Sequence, residues 1–292
     1  MPKTELLISR MMSLLDRLEP LLPAHDAPPD WLAHAFRWCR QAGHGWLHPI
    51  HAPHQIALDA LLGLDHQKDA IQRNTRQFLA GKQANNILLW GSRGTGKSSL
   101  VKAVFNAYRD AGLRLIEIDK DDLIQLPDIF ERVGNRPEPF ILFCDDLSFD
   151  ASESSYKALK AALDGSLTVT PDNVLIYATS NRRHLLPEFQ SENREAQNVD
   201  GELHHGESVE EKMSLSDRFG LWIAFHPFSQ AQYLAIVQHW LDRFSPGFYL
   251  HADREQIERA ALQWALQRGS RSGRTAWQFA RDWSGRDLFQ AD

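Results

Sequence analysis

The chain has 292 residues, 43% of them apolar and 24% charged, and a formal net charge of −6. That length suits one large domain or two smaller ones with a full core, and the acidic balance excludes a global basic field for nucleic acid or anionic membrane. Cys39 and Cys144 are too few and too far apart for a disulfide framework, and no run reaches the roughly 18 apolar residues of a spanning helix, so a cytoplasmic protein without membrane insertion is expected.

Leu6, Leu7, Met11, Leu14, Leu15 and Leu18 recur at helical spacing and predict an amphipathic helix over 4–19, with charges that set it apart from a secretory leader. Pro20, Pro23, Pro28 and Pro29 break the chain, and a second helix is expected over 30–41, carrying Trp31, Phe36 and Trp38. These helices read as a cap on the next domain, with a partner-docking surface as the alternative. The tract GHGWLHPIHAPH gathers His44, His48, His51 and His54. Pro49 and Pro53 stiffen it, and no cysteine or carboxylate completes a ligand set, so it reads as a linker rather than a metal site.

From Ile56 a turn and an amphipathic helix lead into NNILLWGSRGTGKSSLVKAVFNAY. An apolar strand over 87–90 runs into Gly91, Ser92, Arg93, Gly94, Thr95, Gly96, Lys97, Ser98 and Ser99, then into a helical pattern. The spacing satisfies G-x-x-x-x-G-K-[ST], the phosphate-binding loop. Glycines let successive N–H groups curl around one anion, and the helix start adds its positive end. Lys97 is expected on the terminal phosphates and Ser98 on Mg²⁺.

Four further strands are expected at 113–118, 140–144, 174–178 and 221–225, separated by helices near 122–133 and 154–163. This alternation argues for a parallel sheet covered on both faces. In FILFCDD, Asp145 and Asp146 stand at the carboxyl end of an apolar strand, where such sheets place their ligand crevice. Asp145 is read as the magnesium acid, acting through a water, and Asp146 as the group that polarises the attacking water. YATSN ends another strand; Asn181, with Thr179 as second choice, is expected on the terminal phosphate or that water. The polar, acid-rich stretch 187–214 is expected to be an exposed insertion. Arg218 precedes the last strand, and three helices follow, at 230–244, 254–267 and 274–283. Arg271 and Arg274 open the last of them. By spacing alone each of these arginines is as well a solvated surface group.

In order, LLGLD, GSRGTGKS, FILFCDD, YATSN, SDRFG and GSRSGR resemble the AAA+ ATPases over roughly residues 55–292, and the stretches CDDLSF, YATSNRRHLLPE and SLSDRFGLW are similar to a bacterial AAA+ family known as ATP-binding. The resemblance implies a five-stranded parallel P-loop NTPase sheet followed by a C-terminal helical lid. With the small N-terminal helical segment read above, the expected division is 1–54 as helical segment and linker, 55–228 as α/β nucleotide-binding domain and 229–292 as lid. It implies ATP and Mg²⁺ as cofactors, with Gly63 and Leu64 on the adenine side. Lys97, Asp146, Asn181 and Arg218 become the catalytic set, and Arg218 becomes a finger that acts on a neighbour's ATP in a homo-oligomeric ring or filament. The lid arginine is Arg271 by the G-x-R register and Arg274 by the helix start. That ambiguity is one departure from the family pattern, and Asp146, standing where glutamate is usual, is the other; separately, the segment after the second strand lacks the aromatic pore loop of protein-threading members. The expected function is an ATPase that remodels or loads a protein or nucleic-acid client. A slow ATP-dependent switch acting through the amino-terminal helices is the alternative, and a P-loop phosphoryl transferase a third reading.

Overall fold

Five apolar runs bounded by polar turns become the five strands that the sequence marks, and two more strands form ahead of them. The computed structural model describes residues 10–13, 28–41, 43–149, 153–164, 170–183, 185, 197–199, 202–204, 215–246 and 253–285. A hairpin of β1 (Ala35–Gln41) and β2 (His44–Ile50) comes first. Then α1 (Asp65–Leu79) leads to β3 (Ile87–Gly91), α2 (Lys97–Tyr108) to β4 (Arg114–Ile118), and α3 (Leu126–Val133) to β5 (Phe140–Cys144). After α4 (Ser154–Asp164) come β6 (Val174–Ser180), a short hairpin of β7 (Gln197–Val199) and β8 (Glu202–His204), and β9 (Leu221–Phe225). The helices α5 (Gln230–Phe244), α6 (Arg254–Gln267) and α7 (Gly273–Ser284) follow.

Seven strands form one sheet in the order β2-β1-β4-β5-β6-β3-β9. Every neighbouring pair is parallel except β1 with β2. Parallel strands need cover on both faces, and every residue of β5 and β6 is buried accordingly. The strand period of two sends Leu89, Phe143 and Tyr177 into one core, beneath α1, α2 and the C-terminal helices. Leu88, Leu142 and Ile176 enter the other, beneath α3 and α4. The Tyr177 hydroxyl bonds Thr75 Oγ1 at 2.9 Å and accepts from Asn74 Nδ2 at 3.2 Å, which pins α1 to the sheet. Burial pushes that phenol up to about 12.

The amino-terminal expectations need correction. Residues 35–41 are a strand and not part of a helix, and the histidine tract is largely β2 and not a linker. Within β1 the alternation of Phe36 and Trp38 inward with Arg37 outward decides the matter, because it buries two aromatic rings on one face of an extended chain. Gly43, with φ 85, turns the hairpin, and Trp38 packs where a side chain on Gly45 would stand, 2.0 Å from a β-carbon built there. β1 pairs with β4 and extends the sheet beyond it, so the hairpin expected to lie outside the sheet is part of it. Of the helix expected over 4–19, residues 10–13 are described and are helical. Within 187–214 the described residues form the β7–β8 hairpin, and the rest of that stretch lies outside the described residues.

Trp38 is 1% exposed and donates its Nε1–H to Gln125 Oε1 at 2.8 Å. Trp38→Ala would open a cavity and leave a buried amide oxygen without its donor. It is expected to cost about 3–5 kcal/mol, read as a lower urea midpoint at unchanged m-value.

Candidate functional site

Gly91 closes β3 with φ 134, and a β-carbon there would lie 1.9 Å from the Phe225 carbonyl oxygen on β9. Only glycine lets these two strand ends meet. The chain then turns through Gly94 and Gly96, at φ 76 and 103, into the first turn of α2. First-turn N–H groups of a helix have no intrahelical carbonyl to bond. Thr95, 1% exposed, donates its hydroxyl to Ser92 O at 2.8 Å and braces the loop from inside. Ser92 and Arg93 are exposed at its tip, and Ser98 and Ser99 are half-buried where α2 begins.

Lys97 is 6% exposed. Its ammonium has three donors and finds three acceptors: Gly91 O at 2.7 Å, Ser92 O at 2.9 Å and Asn181 Oδ1 at 3.0 Å. Burial holds this ammonium below its ordinary range, an effect that the carboxylates of Asp146 and Asp145 oppose. The Asn181 amide nitrogen donates in turn to Asp146 Oδ1, so Asn181 links the lysine to the second aspartate. Arg93 reaches the other oxygen of Asp146 at 3.7 Å.

Asp145 Oδ1 accepts from Ser98 Oγ at 2.6 Å and from Thr179 Oγ1 at 2.5 Å. Thr179 also accepts from the Asp146 backbone N–H at 2.8 Å, and its carbonyl accepts from Leu147 N at 2.7 Å. Asp146 has φ 53 and is the one non-glycine residue with positive φ among those described. A left-handed residue costs on the order of 1 kcal/mol and persists where its surroundings hold it, as Thr179 does here. Lys97, Ser98, Asp145, Asp146, Thr179 and Asn181 thus converge from three neighbouring strand ends.

The loop is flanked on two sides. Leu64, 4% exposed, caps α1 and lies against Gly96, while Gly63, at φ 71, faces Phe228. On the other side Ser272 caps α7, and its hydroxyl stands 2.8 Å from a β-carbon built on Gly94. Arg274 N donates to Gly94 O at 3.4 Å, and its β-carbon also crowds Gly94. Arg271 is tied elsewhere, its carbonyl accepting from Phe228 N at 3.2 Å. Of the two arginines, Arg274 is the one whose backbone lies beside the loop.

Arg218 stands apart. Leu221 pairs with Ile87 at the start of β3, and Gly220 abuts Asn85. This puts Arg218 at the amino-terminal edge of the sheet, whereas the glycine loop and both aspartates lie at the carboxyl edge. The five residues of β9 between them span about 13 Å, beyond the length of an arginine side chain. Its Nε donates to Asp164 at the end of α4.

A cleft of about 510 Å³ opens beside Asp145, lined by Arg40, Asp119, Lys120, Asp121 and Asp122. Arg40 comes from β1 and pairs with Asp122 at 3.0 Å, so the hairpin absent from the sequence reading reaches the rim of the site. Among the described residues no group of three His, Cys, Asp or Glu side chains is placed to hold a metal. Two contacts escaped the sequence: Ser272, hidden between the arginines of GSRSGR, and Asp164, which carries no local signal.

A parallel sheet that puts β3 between β6 and β9, a glycine loop after β3, and helices after β9 define the AAA+ class of P-loop ATPases. Within that class the chain belongs to the family described as "Protein of unknown function (DUF815)", whose model matches residues 32–287. Over 164 residues, 46% of this chain, it is 27% identical to the ATP-dependent zinc metalloprotease FtsH of Rhodothermus marinus. That match covers 23% of FtsH, so the chain spans about a quarter of its length. A mutant of Thermotoga maritima RuvB superposes with a TM-score of 0.53 at 14% identity, over 81% of this chain and 68% of that one. The T. maritima RuvB Holliday junction branch migration motor aligns at 0.47 and 13% identity, over 77% of this chain and 63% of the other, just under two thirds of its length. At such identities the likeness is one of fold. No helix among the described residues is long and apolar enough to cross a membrane.

Proposed function

We propose that the chain binds ATP with Mg²⁺ and hydrolyses it at an interface between two copies, using the cycle to remodel or load a protein or nucleic-acid partner. The observation that carries this reading is the convergence of Lys97, Ser98, Asp145, Asp146 and Asn181 at one sheet edge, with Arg218 at the opposite edge. The donor set fits a magnesium-bound triphosphate: curled backbone at glycine positions, a buried ammonium, and a serine hydroxyl already on a carboxylate. Ser98 and Asp145 would hold the ion, which when bound neutralises the phosphate oxygens. Lys97 would exchange its carbonyl partners for phosphate oxygens. Asp146 would accept a proton from, or orient, the attacking water, and Asn181 would hold that carboxylate in place. Gly63 and Leu64 would border the base, and Arg274 rather than Arg271 would report the phosphates to the lid. The domain reading becomes an α/β unit with its amino-terminal hairpin, followed by a helical lid.

The slow-switch reading draws support from one feature, the Asp146 carboxylate being held by Asn181 and approached by Arg93. Steady-state hydrolysis per subunit, followed over about a hundredfold range of protein concentration, separates the two. For the shared site, specific activity rises with concentration, and Asp146→Asn lowers it about 10²–10⁴-fold, the usual worth of a general base, while ATP still binds. Activity that stays flat with concentration and survives Asp146→Asn would sink the proposal.

A further inference from the structure

Arg218 is presented by a short turn with little freedom. Its N–H donates to Leu215 O at 3.3 Å, and Leu215, Ser216 and Phe219 around it are almost fully buried. Trp222 clamps the same turn, its Nε1–H shared between Ser216 O at 2.8 Å and Phe219 O at 3.0 Å. The backbone is therefore fixed, and the side chain alone sets where the guanidinium lies. That side chain is 24% exposed and meets Asp164, 40% exposed. The contact uses Nε, the guanidinium nitrogen nearest the chain, so the planar fork is held at its root.

Asp164 is an unexpected residue for its place. It ends α4, where the last carbonyls already carry partial negative charge and a carboxylate is disfavoured. A nearby cation removes that penalty, and Arg218 supplies it. Both residues lie at the amino-terminal edge of the sheet, away from the chain's own glycine loop. Nothing the chain does with its own phosphates would call for this pairing.

We propose that Asp164 is the positioning residue for Arg218, orienting its guanidinium toward the nucleotide bound by an adjoining copy. This rests on the shared-site reading above. Asp164 itself touches no reacting atom; it acts through the direction it imposes on the arginine. Without it the restraint on Nε is lost, and misplacement of the guanidinium by an ångström or so at such a site costs about 10²-fold in rate.

The test uses full-length subunits mixed in pairs. The acceptor is Arg218→Ala, with an intact glycine loop; the donor is Asp146→Asn, whose own site is disabled but whose Arg218 is intact. Neither alone should hydrolyse ATP well, and the mixture should. Adding Asp164→Ala to the donor is expected to lower the mixture's activity about 10–100-fold, with KM for ATP unchanged and Asp164→Glu recovering part of the loss. Adding the same change to the acceptor, whose Arg218 is already gone, should leave the mixture as active as before. Equal loss from either placement would mean a structural role and overturn the proposal, as would a donor unaffected by Asp164→Ala. A donor made more active would overturn it too, since Asp164 would then withhold the arginine. An inactive parental mixture would remove the shared-site reading and this proposal with it.

Discussion

Lys97→Ala is expected to lower ATP hydrolysis by about 10²–10³-fold or more, the cost of losing one preorganised charge-stabilising group, and to weaken ATP binding with it. The ammonium is buried, and its acceptors in the structure are two loop carbonyls and the Asn181 oxygen. Held below its ordinary range by burial, it gains from an anion more than a solvated lysine would. Removing it also frees Asn181 to rotate, so the hold on Asp146 loosens at the same stroke. Arginine would not substitute well, because its planar fork cannot fill a tripod built for a compact ammonium. Turnover together with titration of a fluorescent ATP analogue checks the expectation. Wild-type turnover in Lys97→Ala would refute the assignment of the loop itself.

Arg218→Ala should separate binding from chemistry. An arginine that meets transition-state charge in trans is worth about 10³–10⁵ in rate, and here ATP affinity per subunit should stay near that of the parent, since the residue lies at the far edge of its own sheet. Folding should change little: the ion pair with Asp164 is partly exposed and screened by solvent, worth under about 1 kcal/mol. Hydrolysis assayed beside a thermal unfolding midpoint distinguishes the two effects. A protein that keeps its turnover, or loses ATP affinity in step with it, would contradict an inter-subunit role.

Much of the architecture was legible because the signals were local and short-ranged. β3, β5 and β9 appear as fully or nearly apolar runs, and α5 and α6 fall on their predicted bounds because Ser229 and Asp253 cap them. The aspartates could be placed because they follow an apolar run directly. What escaped depended on distant partners. The stretch around Trp38 carries aromatic residues that suit a helix face as well as a strand, and only Gln125, Gly45 and the open edge of β4 decide for the strand. The histidine tract looked like a connector because Pro49 and Pro53 suggest irregular chain, yet Pro49 is tolerated on β2, which among the described residues is the outermost strand and has no neighbour on one side of the ladder. The choice between Arg271 and Arg274 turns on which backbone lies against Gly94, a contact between residues far apart in sequence.

The packing of Ser272 and Arg274 on Gly94 has a mechanical consequence. Phe228, where the sheet hands over to the C-terminal helices, is bonded to Arg271, and one residue further on the chain touches the tip of the glycine loop. The hand-over and the point of contact are thus only a few residues apart, so a swing of those helices about this point would move their far ends most. A displacement of a fraction of an ångström at Gly94 would be geared up along the length of α5 and α7. The crowding at Gly94 gives the loop the place of a fulcrum, so that a change in what the loop grips would become a change in where the last helices point.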